Sequence, residues 1–166
     1  RPSGETNWII LRSSNFGATP AVATNARVIP SDATDMAKLP MSTADGLPTM
    51  ATNGPAHHYW LIGLDFEVGS RSQAYGPVQI GQGYPTSHVT DEDWRIAVNN
   101  VANLEDLPSY ICVDRCFIHS TDDTLSTGKL RQGIRAEGRY ICIRNCDISN
   151  VKDTQDAQAI WACYGT

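Results

Sequence analysis

The sequence predicts an all-β fold in which short parallel strands stack as a solenoid, and three observations support this. Residues 110–119 and 140–149 share a skeleton of Tyr, Ile, Cys, a branched apolar residue, Cys and Ile at an offset of 30 residues. Residues 132–136 and 158–162 form a shorter echo at an offset of 26 residues. Charged residues are only 19% of the chain, which has 13 Gly and 9 Pro, a composition that favours a loop-rich β protein. A fixed offset with a kept apolar skeleton indicates a repeat architecture.

Each copy of the repeat is predicted to be a strand interrupted by a corner. Ile111 and Val113 alternate with their neighbours, as on a pleated strand. The phase then slips at Asp114-Arg115, and in the second copy at Arg144-Asn145. Copies stacked in register bury their apolar faces against each other. The internal ladders expected are Ile111–Ile141, Val113–Ile143, Cys116–Cys146 and Ile118–Ile148.

Other elements are predicted on either side of the repeat. Strands are expected at 7–12 and 27–29, and a short helix near 31–39 with Ser31 as its N-cap. Residues 84–107 fit either a helix or a long surface loop. We expect one domain over 1–166, a partial solenoid with clear coils at 57–83, 110–138 and 140–163.

Charge and hydropathy exclude two classes of function. The net charge is −5 and there is no basic run, which disfavours nucleic-acid binding. No apolar stretch approaches the roughly 18 residues needed to span a bilayer. The chain begins at Arg1 without Met, so we interpret it as a mature or trimmed product.

The five cysteines leave three interpretations open. Cys-x3-Cys occurs twice, at Cys112/Cys116 and Cys142/Cys146, a spacing within the range of structural zinc sites. Small apolar thiols that fill stacked ladders are favoured, because the flanking strands alternate and are apolar. Neighbouring coils would place matched Cα atoms about 4.8 Å apart, within reach of an inter-coil disulfide.

Six segments of the chain resemble one family: 7–12 (Asn-Trp-Ile-Ile-Leu-Arg), 26–30 (Ala-Arg-Val-Ile-Pro), 58–67 (His-Tyr-Trp-Leu-Ile-Gly-Leu-Asp-Phe-Glu), 113–119 (Val-Asp-Arg-Cys-Phe-Ile-His), 131–134 (Arg-Gln-Gly-Ile) and 156–160 (Asp-Ala-Gln-Ala-Ile). This family is the bacterial and environmental right-handed parallel β-helix proteins, related in fold to pectate lyases. The resemblance implies a right-handed parallel β-helix and a secreted, extracellular protein. Members usually have further coils on both sides of the matching region, so the chain resembles an internal segment.

The resemblance also implies where a site would lie. Polysaccharide lyases of this fold place carboxylates, calcium and a basic side chain on an outward face. Arg135 alternates with Ile134 and Ala136, so we expect it to point outward beside Trp161 on the next coil. The candidates are Arg135, Asp147 and Asp114 for catalysis, Trp161, Arg135 and Arg144 for substrate binding, and Asp153 with Asp156 for calcium. No lyase motif matches residue by residue. His119 beside Asp122 and Asp123 is a further acid–base candidate.

Three functions remain open at this point. The first is an extracellular lyase or hydrolase of polysaccharides, favoured by an acid and a base in one groove. The second is a non-catalytic carbohydrate-binding or adhesive β-helix, favoured by an exposed aromatic row without such a cluster. The third is a structural segment that forms a homo-oligomer or filament through its open ends, favoured by uncovered apolar terminal coils. Carbohydrate interaction is preferred by analogy of fold.

Overall fold

The structure is a computed structural model that describes residues 4–15, 26–41, 48–52, 54–69, 71–74, 76–81, 106–121, 128–153 and 157–162. Short strands dominate these residues, together with a 3-10 helix at Pro30–Asp35. Within the described ranges, no helix has both the length and the apolar character needed to cross a membrane.

Three parallel sheets of four strands form the body of the molecule. Sheet A contains, in spatial order, β1 (Ile9–Arg12), β4 (His57–Ile62), β8 (Ser109–Asp114) and β12 (Arg139–Arg144). Sheet B contains β2 (Ala37–Pro40), β5 (Leu64–Val68), β9 (Phe117–Ser120) and β13 (Asp147–Ser149). Sheet C contains β3 (Met50–Ala51), β7 (Val78–Ile80), β11 (Gln132–Ala136) and β14 (Gln158–Trp161). A separate parallel pair joins β6 (Arg71–Ala74) to β10 (Gly128–Leu130).

The chain passes through sheets A, B and C in the same order four times, and each passage is called a coil below. Coil 1 is β1-β2-β3, coil 2 is β4-β5-β7, coil 3 is β8-β9-β11 and coil 4 is β12-β13-β14. The predicted register of the repeat is confirmed, since Ile111 pairs with Ile141, Cys112 with Cys142 and Ile118 with Ile148. The shorter echo is confirmed as well, by the pairing of Ile134 with Ile160.

The core lies between the sheets and is densest in coils 2 and 3. Leu61, Phe66 and Val78 of coil 2 are almost fully buried, as are the residues paired with them in coil 3: Val113, Ile118 and Ile134. These positions alternate with residues on the outer faces, because successive side chains of a strand point to opposite sides. The strand alternation seen in the sequence therefore specifies both faces of each sheet.

A left-handed residue turns the chain from sheet A to sheet B in coils 2, 3 and 4. The residues are Gly63, Arg115 and Asn145, with φ of 59°, 51° and 54°. Gly adopts this conformation without steric cost, and Asn tolerates it better than most residues. The phase slips at Asp114-Arg115 and Arg144-Asn145 mark these turns, so the predicted corner is confirmed.

Two local predictions near the N-terminal coil are corrected. The predicted helix near 31–39 ends at Asp35, and Ala37–Pro40 instead form β2, which pairs with β5 and turns Leu39 onto the core. The N-cap is Ile29 rather than Ser31, because the helix begins at Pro30, and the Asp32 carboxylate accepts the Ile29 N–H at 2.9 Å. Residues 27–29 are not a strand. The segment 84–105 lies outside the described residues.

Candidate functional site

The outer face of sheet A carries a column of stacked rings. His58, Tyr110 and Tyr140 occupy matching positions of coils 2, 3 and 4, and all three are left-handed, with φ of 59°, 53° and 55°. The His58 and Tyr110 ring centroids are 4.7 Å apart, and those of Tyr110 and Tyr140 are 4.8 Å apart. The inter-strand repeat of a sheet matches the stacking distance of aromatic rings, so the sheet itself spaces the column.

Two tryptophans enlarge this aromatic surface on coils 1 and 2. Trp8 meets the His58 ring edge-on at 5.3 Å and the Trp60 ring at 6.3 Å. We call Trp8, His58, Tyr110 and Tyr140 the aromatic ladder. Trp8, Tyr110 and Tyr140 are exposed, the two tyrosines at 42% and 55%, and His58 is half-buried. Exposed rings in an ordered row mark a binding surface more often than scattered apolar residues do.

Guanidinium groups flank the ladder. The Arg139 guanidinium lies 5.2 Å from the centre of the Tyr140 ring, and that of Arg144 lies 5.5 Å from the centre of the Trp60 ring. The strands of sheet A contain three arginines and one carboxylate, Asp114, in a chain whose net charge is −5. The sheet A face, meaning the aromatic ladder with Trp60, Arg139 and Arg144, therefore carries two guanidinium groups, and that of Arg144 also pairs with Asp114.

Asp114, which was predicted to be catalytic, links the sheet A face to Arg115, the residue that turns coil 3 from sheet A to sheet B. Its carboxylate accepts bonds from Arg115 Nε at 3.0 Å and Nη2 at 3.0 Å, from Arg144 Nη2 at 2.9 Å and from Trp60 Nε1 at 3.3 Å. Burial opposes its charge, but the bonds from Arg115 and Arg144 hold the pKa of Asp114 below its ordinary value. This geometry is that of a structural ion pair, and it fixes Arg144 and Trp60 in place.

A cleft of about 350 Å³ opens beside the lower part of the ladder. Its lining includes His57, His58, Asp106, Ser109 and Tyr110. The Nδ1 atoms of His57 and His58 are 2.8 Å apart, so the two imidazoles meet at the mouth of the cleft. The cleft therefore extends the aromatic face with groups that donate and accept hydrogen bonds.

Arg135 and Trp161, predicted to bind substrate, do meet on sheet C. The Arg135 guanidinium lies 4.7 Å from the Trp161 ring centre, and its Nη2 lies 3.4 Å from Glu137 Oε1. Arg135 points away from the core formed by Ile134 and Ala136, as predicted, but only 8% of its side chain is accessible, so it is covered and not open to a substrate. Residues on the outer face of a sheet are covered when other chain segments pack there, which alternation within one strand does not reveal.

The carboxyl group of Glu137, beside Arg135, has a shifted pKa. Burial raises the pKa of Glu137 to about 7, against the attraction of Arg135. Its Oε2 atom is buried and has no hydrogen-bond partner. A buried carboxyl without full pairing favours its neutral form.

This pKa predicts a stability change with pH. The folded state keeps the Glu137 proton between pH 4.5 and about 7, whereas the unfolded chain releases it. The contribution of Glu137 to the free energy of unfolding is therefore fully present below pH 4.5. It decreases as pH rises to 7, by about 3 kcal/mol at most. Urea unfolding across this range should show the decline in the native protein and a flatter curve in Glu137→Gln. The exposed control Glu5→Gln should keep the native slope, and an unchanged slope in Glu137→Gln would contradict the assignment.

The remaining candidates lie apart from one another. Asp147, the third catalytic candidate, is on the outer face of sheet B and pairs with the exposed Arg27 at 3.4 Å. Asp153 follows β13 in the described chain, whereas Asp156, its expected partner in calcium binding, lies outside the described residues. The structure therefore does not bring Arg135, Asp147 and Asp114 into one groove, since they lie on sheets C, B and A.

The four described cysteines carry free thiols. Cys116 is part of the core, where Cys146 packs against it, as the ladder interpretation predicts. Cys112 and Cys142 pair on the outer face of sheet A. Burial raises the pKa of the Cys112 thiol to about 12, with a further contribution from Cys142. Cys163 lies outside the described residues.

Sequence reasoning missed a polar cluster on the outer face of sheet B. His119 Nε2 lies 3.0 Å from Asp65 Oδ1, a residue 54 positions earlier in the chain. Burial opposes charge on the imidazole, but Asp65 raises the pKa of His119 above its ordinary value. The expected partners Asp122 and Asp123 lie outside the described residues. The alternation Leu64-Asp65-Phe66-Glu67 places both acids outward, a signal that was present in the sequence.

Comparison of the chain with family models, with curated proteins and with solved structures gives no match.

Proposed function

We propose that the chain is a right-handed parallel β-helix that binds acidic polysaccharide outside the cell through the sheet A face. The observation that carries this proposal is the exposed aromatic ladder flanked by Arg139 and Arg144. Stacked rings present their positive edges, which suit the hydroxyl and carboxylate oxygens of an acidic sugar, and guanidinium groups pair with carboxylates in bidentate fashion. The ladder repeats every 4.7–4.8 Å between His58, Tyr110 and Tyr140, so it presents similar groups along the stack of coils.

Binding is proposed rather than cleavage. Lyase chemistry needs a base beside the sugar and a means of neutralising the uronate carboxylate. Asp114, the carboxylate within the strands of sheet A, is occupied by two guanidinium groups and an indole. The catalytic candidates Arg135 and Asp147 belong to other sheets. Because Arg135, Asp147 and Asp114 do not converge in one groove, the row of rings on sheet A supports the non-catalytic function.

Affinity electrophoresis tests the proposal. Native protein should be retarded in gels that contain polygalacturonate and should migrate normally in gels that contain a neutral β-glucan. Arg139→Gln should weaken retardation about tenfold, the loss of one charge-assisted hydrogen bond. Tyr140→Ala should weaken it as well, because it removes the most exposed ring of the ladder.

The matched control is Arg27→Gln, which removes an exposed guanidinium from the sheet B side of the molecule. It should be retarded like the native protein. Equal retardation of all variants, or none of the native protein, contradicts the proposed face. Release of unsaturated product, followed by absorbance in the same mixtures, would instead establish the lyase function.

A second candidate function, assembly through the open coils, has its own supporting observation. Burial falls sharply from the inner coils to the terminal ones: Ile134 of coil 3 is 0% exposed, while its partner Ile160 of coil 4 is 45% exposed. On coil 1, Ile9, Ile10 and Leu11 are also exposed. The surface left open on coil 4 is the kind that coil 3 buries, so it fits a further coil, which a second copy supplies when this chain is studied in isolation.

Light scattering over a concentration series tests this assembly. The apparent mass should rise above that of the 18.1 kDa chain as concentration increases. Ile160→Glu should lower the association, because it places a charge in the interface. Thr34→Glu, which adds the same charge on the exposed 3-10 helix, is the control. A constant monomer mass at high micromolar concentration contradicts assembly.

A further inference from the structure

The outer face of sheet B holds three side chains with metal-binding atoms. Asp65 and Glu67 come from β5 and His119 comes from β9, and one ligand atom of each lies within 4.8 Å of the other two. Each alternates with a core residue, so the packing of Phe66 and Ile118 fixes the direction in which these side chains project. The cluster therefore stands on rigid strands rather than on a loop.

Asp65 is the first sign that this cluster serves a ligand. Its side chain is fully buried, and its Oδ2 atom has no hydrogen-bond partner. A buried carboxylate oxygen without a partner is costly, and native structures contain few of them. The nearest cation is Lys38, whose Nζ lies 3.9 Å from Asp65 Oδ2 and 3.0 Å from Glu67 Oε2.

Lys38 stands where a bound cation would neutralise the two acids. Its side chain is 62% exposed, so it can leave the site for solvent without crossing packed chain. With neutral His119, the cluster carries two negative charges and the one positive charge of Lys38. A divalent ion that displaced Lys38 would balance both carboxylates.

His119 is oriented as a metal-binding imidazole. Its Nε2 faces Asp65 Oδ1 at 3.0 Å, and its Nδ1 lies 3.3 Å from the Ser120 carbonyl oxygen. At 3.0 Å from the Asp65 carboxylate, Nε2 carries the proton of a hydrogen bond, and a metal ion that displaced this proton would take the Nε2 lone pair while Nδ1–H donates to Ser120. Metal-binding histidines usually donate their other ring N–H to a carbonyl or carboxylate in this way. Phe117, stacked on the imidazole at 4.0 Å, holds the plane of the ring.

We propose that Asp65, Glu67 and His119 form a site for a divalent first-row metal ion of the Mn²⁺ or Zn²⁺ class. Two carboxylates and one imidazole match the preferences of these ions better than those of Ca²⁺, which takes oxygen ligands. Ligand atoms around such an ion at about 2.1 Å lie roughly 3.4 Å apart in tetrahedral geometry, so a small side-chain movement closes the cluster.

Titration with Mn²⁺ alone, followed by the electron paramagnetic resonance signal of the free ion, tests the site. Mn²⁺ is the probe because thiolates are soft ligands that it avoids, so the free cysteines compete little. The metal-free protein should bind one equivalent with a dissociation constant in the micromolar range. Glu67→Gln and His119→Gln should each weaken binding at least tenfold. Lys38→Gln should strengthen it, because the competing ammonium is gone.

Two measurements keep the outcome decisive. Circular dichroism of each variant separates a lost ligand from a lost fold, and the half-exposed position of Glu67 makes Glu67→Gln the variant that is best tolerated. Asp153→Asn and Asp156→Asn, at the calcium pair predicted from the sequence, are the controls and should bind like the native protein. Absence of Mn²⁺ binding below millimolar concentration, or equal affinity in folded Glu67→Gln and Lys38→Gln, overturns the proposal.

Discussion

Asp114→Ala is expected to lower the free energy of unfolding by about 3–5 kcal/mol, because it breaks a buried ion pair by removing one partner. The native carboxylate is fully buried and holds both Arg115 and Arg144. Arg115 is itself buried and keeps a left-handed backbone at the corner of coil 3. Loss of the Asp114 carboxylate therefore leaves the buried Arg115 guanidinium without that partner, at the residue that forms the corner.

Asp147→Asn is the control for this prediction. Asp147 pairs with Arg27, whose side chain is largely exposed, and exposed pairs contribute about 0–1 kcal/mol. Both variants would be compared by urea unfolding under the same conditions. Losses of similar size would contradict the structural role of Asp114, as would an Asp114→Ala variant as stable as the native protein.

Ile134→Ala is expected to cost about 2–5 kcal/mol of folding free energy, the range for removing a buried aliphatic side chain. Ile134 is fully buried between Val78 of coil 2 and Ile160 of coil 4, and it belongs to the main core cluster. Truncation opens a cavity between stacked coils, where strands on both sides limit any collapse.

Ile160→Ala is the matched control, since it makes the same change in the same column of residues one coil away. Because Ile160 is exposed, its truncation should cost about 1 kcal/mol or less when measured at concentrations where the protein is monomeric. The difference between the two variants measures how much one coil contributes to burying the next. Equal costs would mean that coils 3 and 4 are equally buried in solution.

The stacking of the chain could be predicted from the sequence because its cause is periodic. A strand that alternates apolar and polar residues, repeated at an offset of 30, can bury its inward side chains only against the next copy. Cys112 opposite Cys142 and Ile118 opposite Ile148 follow from that offset. The corners between sheets could also be predicted, because the alternation of apolar and polar residues is interrupted at Asp114-Arg115.

The site could be predicted only in part, because its contacts join residues far apart in the chain. Asp65 and His119 meet across 54 positions, and neither residue suggests the other. The sequence places Arg135 beside Trp161, but the covering of Arg135 comes from segments outside its own strand. Tyr110 and Tyr140 of the ladder both have a left-handed backbone. This conformation is uncommon for tyrosine, so the sequence did not predict it.

The most direct test of the proposed binding face is a nuclear magnetic resonance titration of the tryptophan indole N–H signals with an oligogalacturonate. Trp8 and Trp60 belong to the sheet A face, whereas Trp161 lies on sheet C beside Arg135. Trp→Phe variants assign the signals. We expect saturable shifts of the Trp8 and Trp60 signals and an unchanged Trp161 signal. Shifts of Trp161 alone would move the site to sheet C, and constant positions of these three among the four tryptophan signals of the chain would contradict binding through the sheet A face.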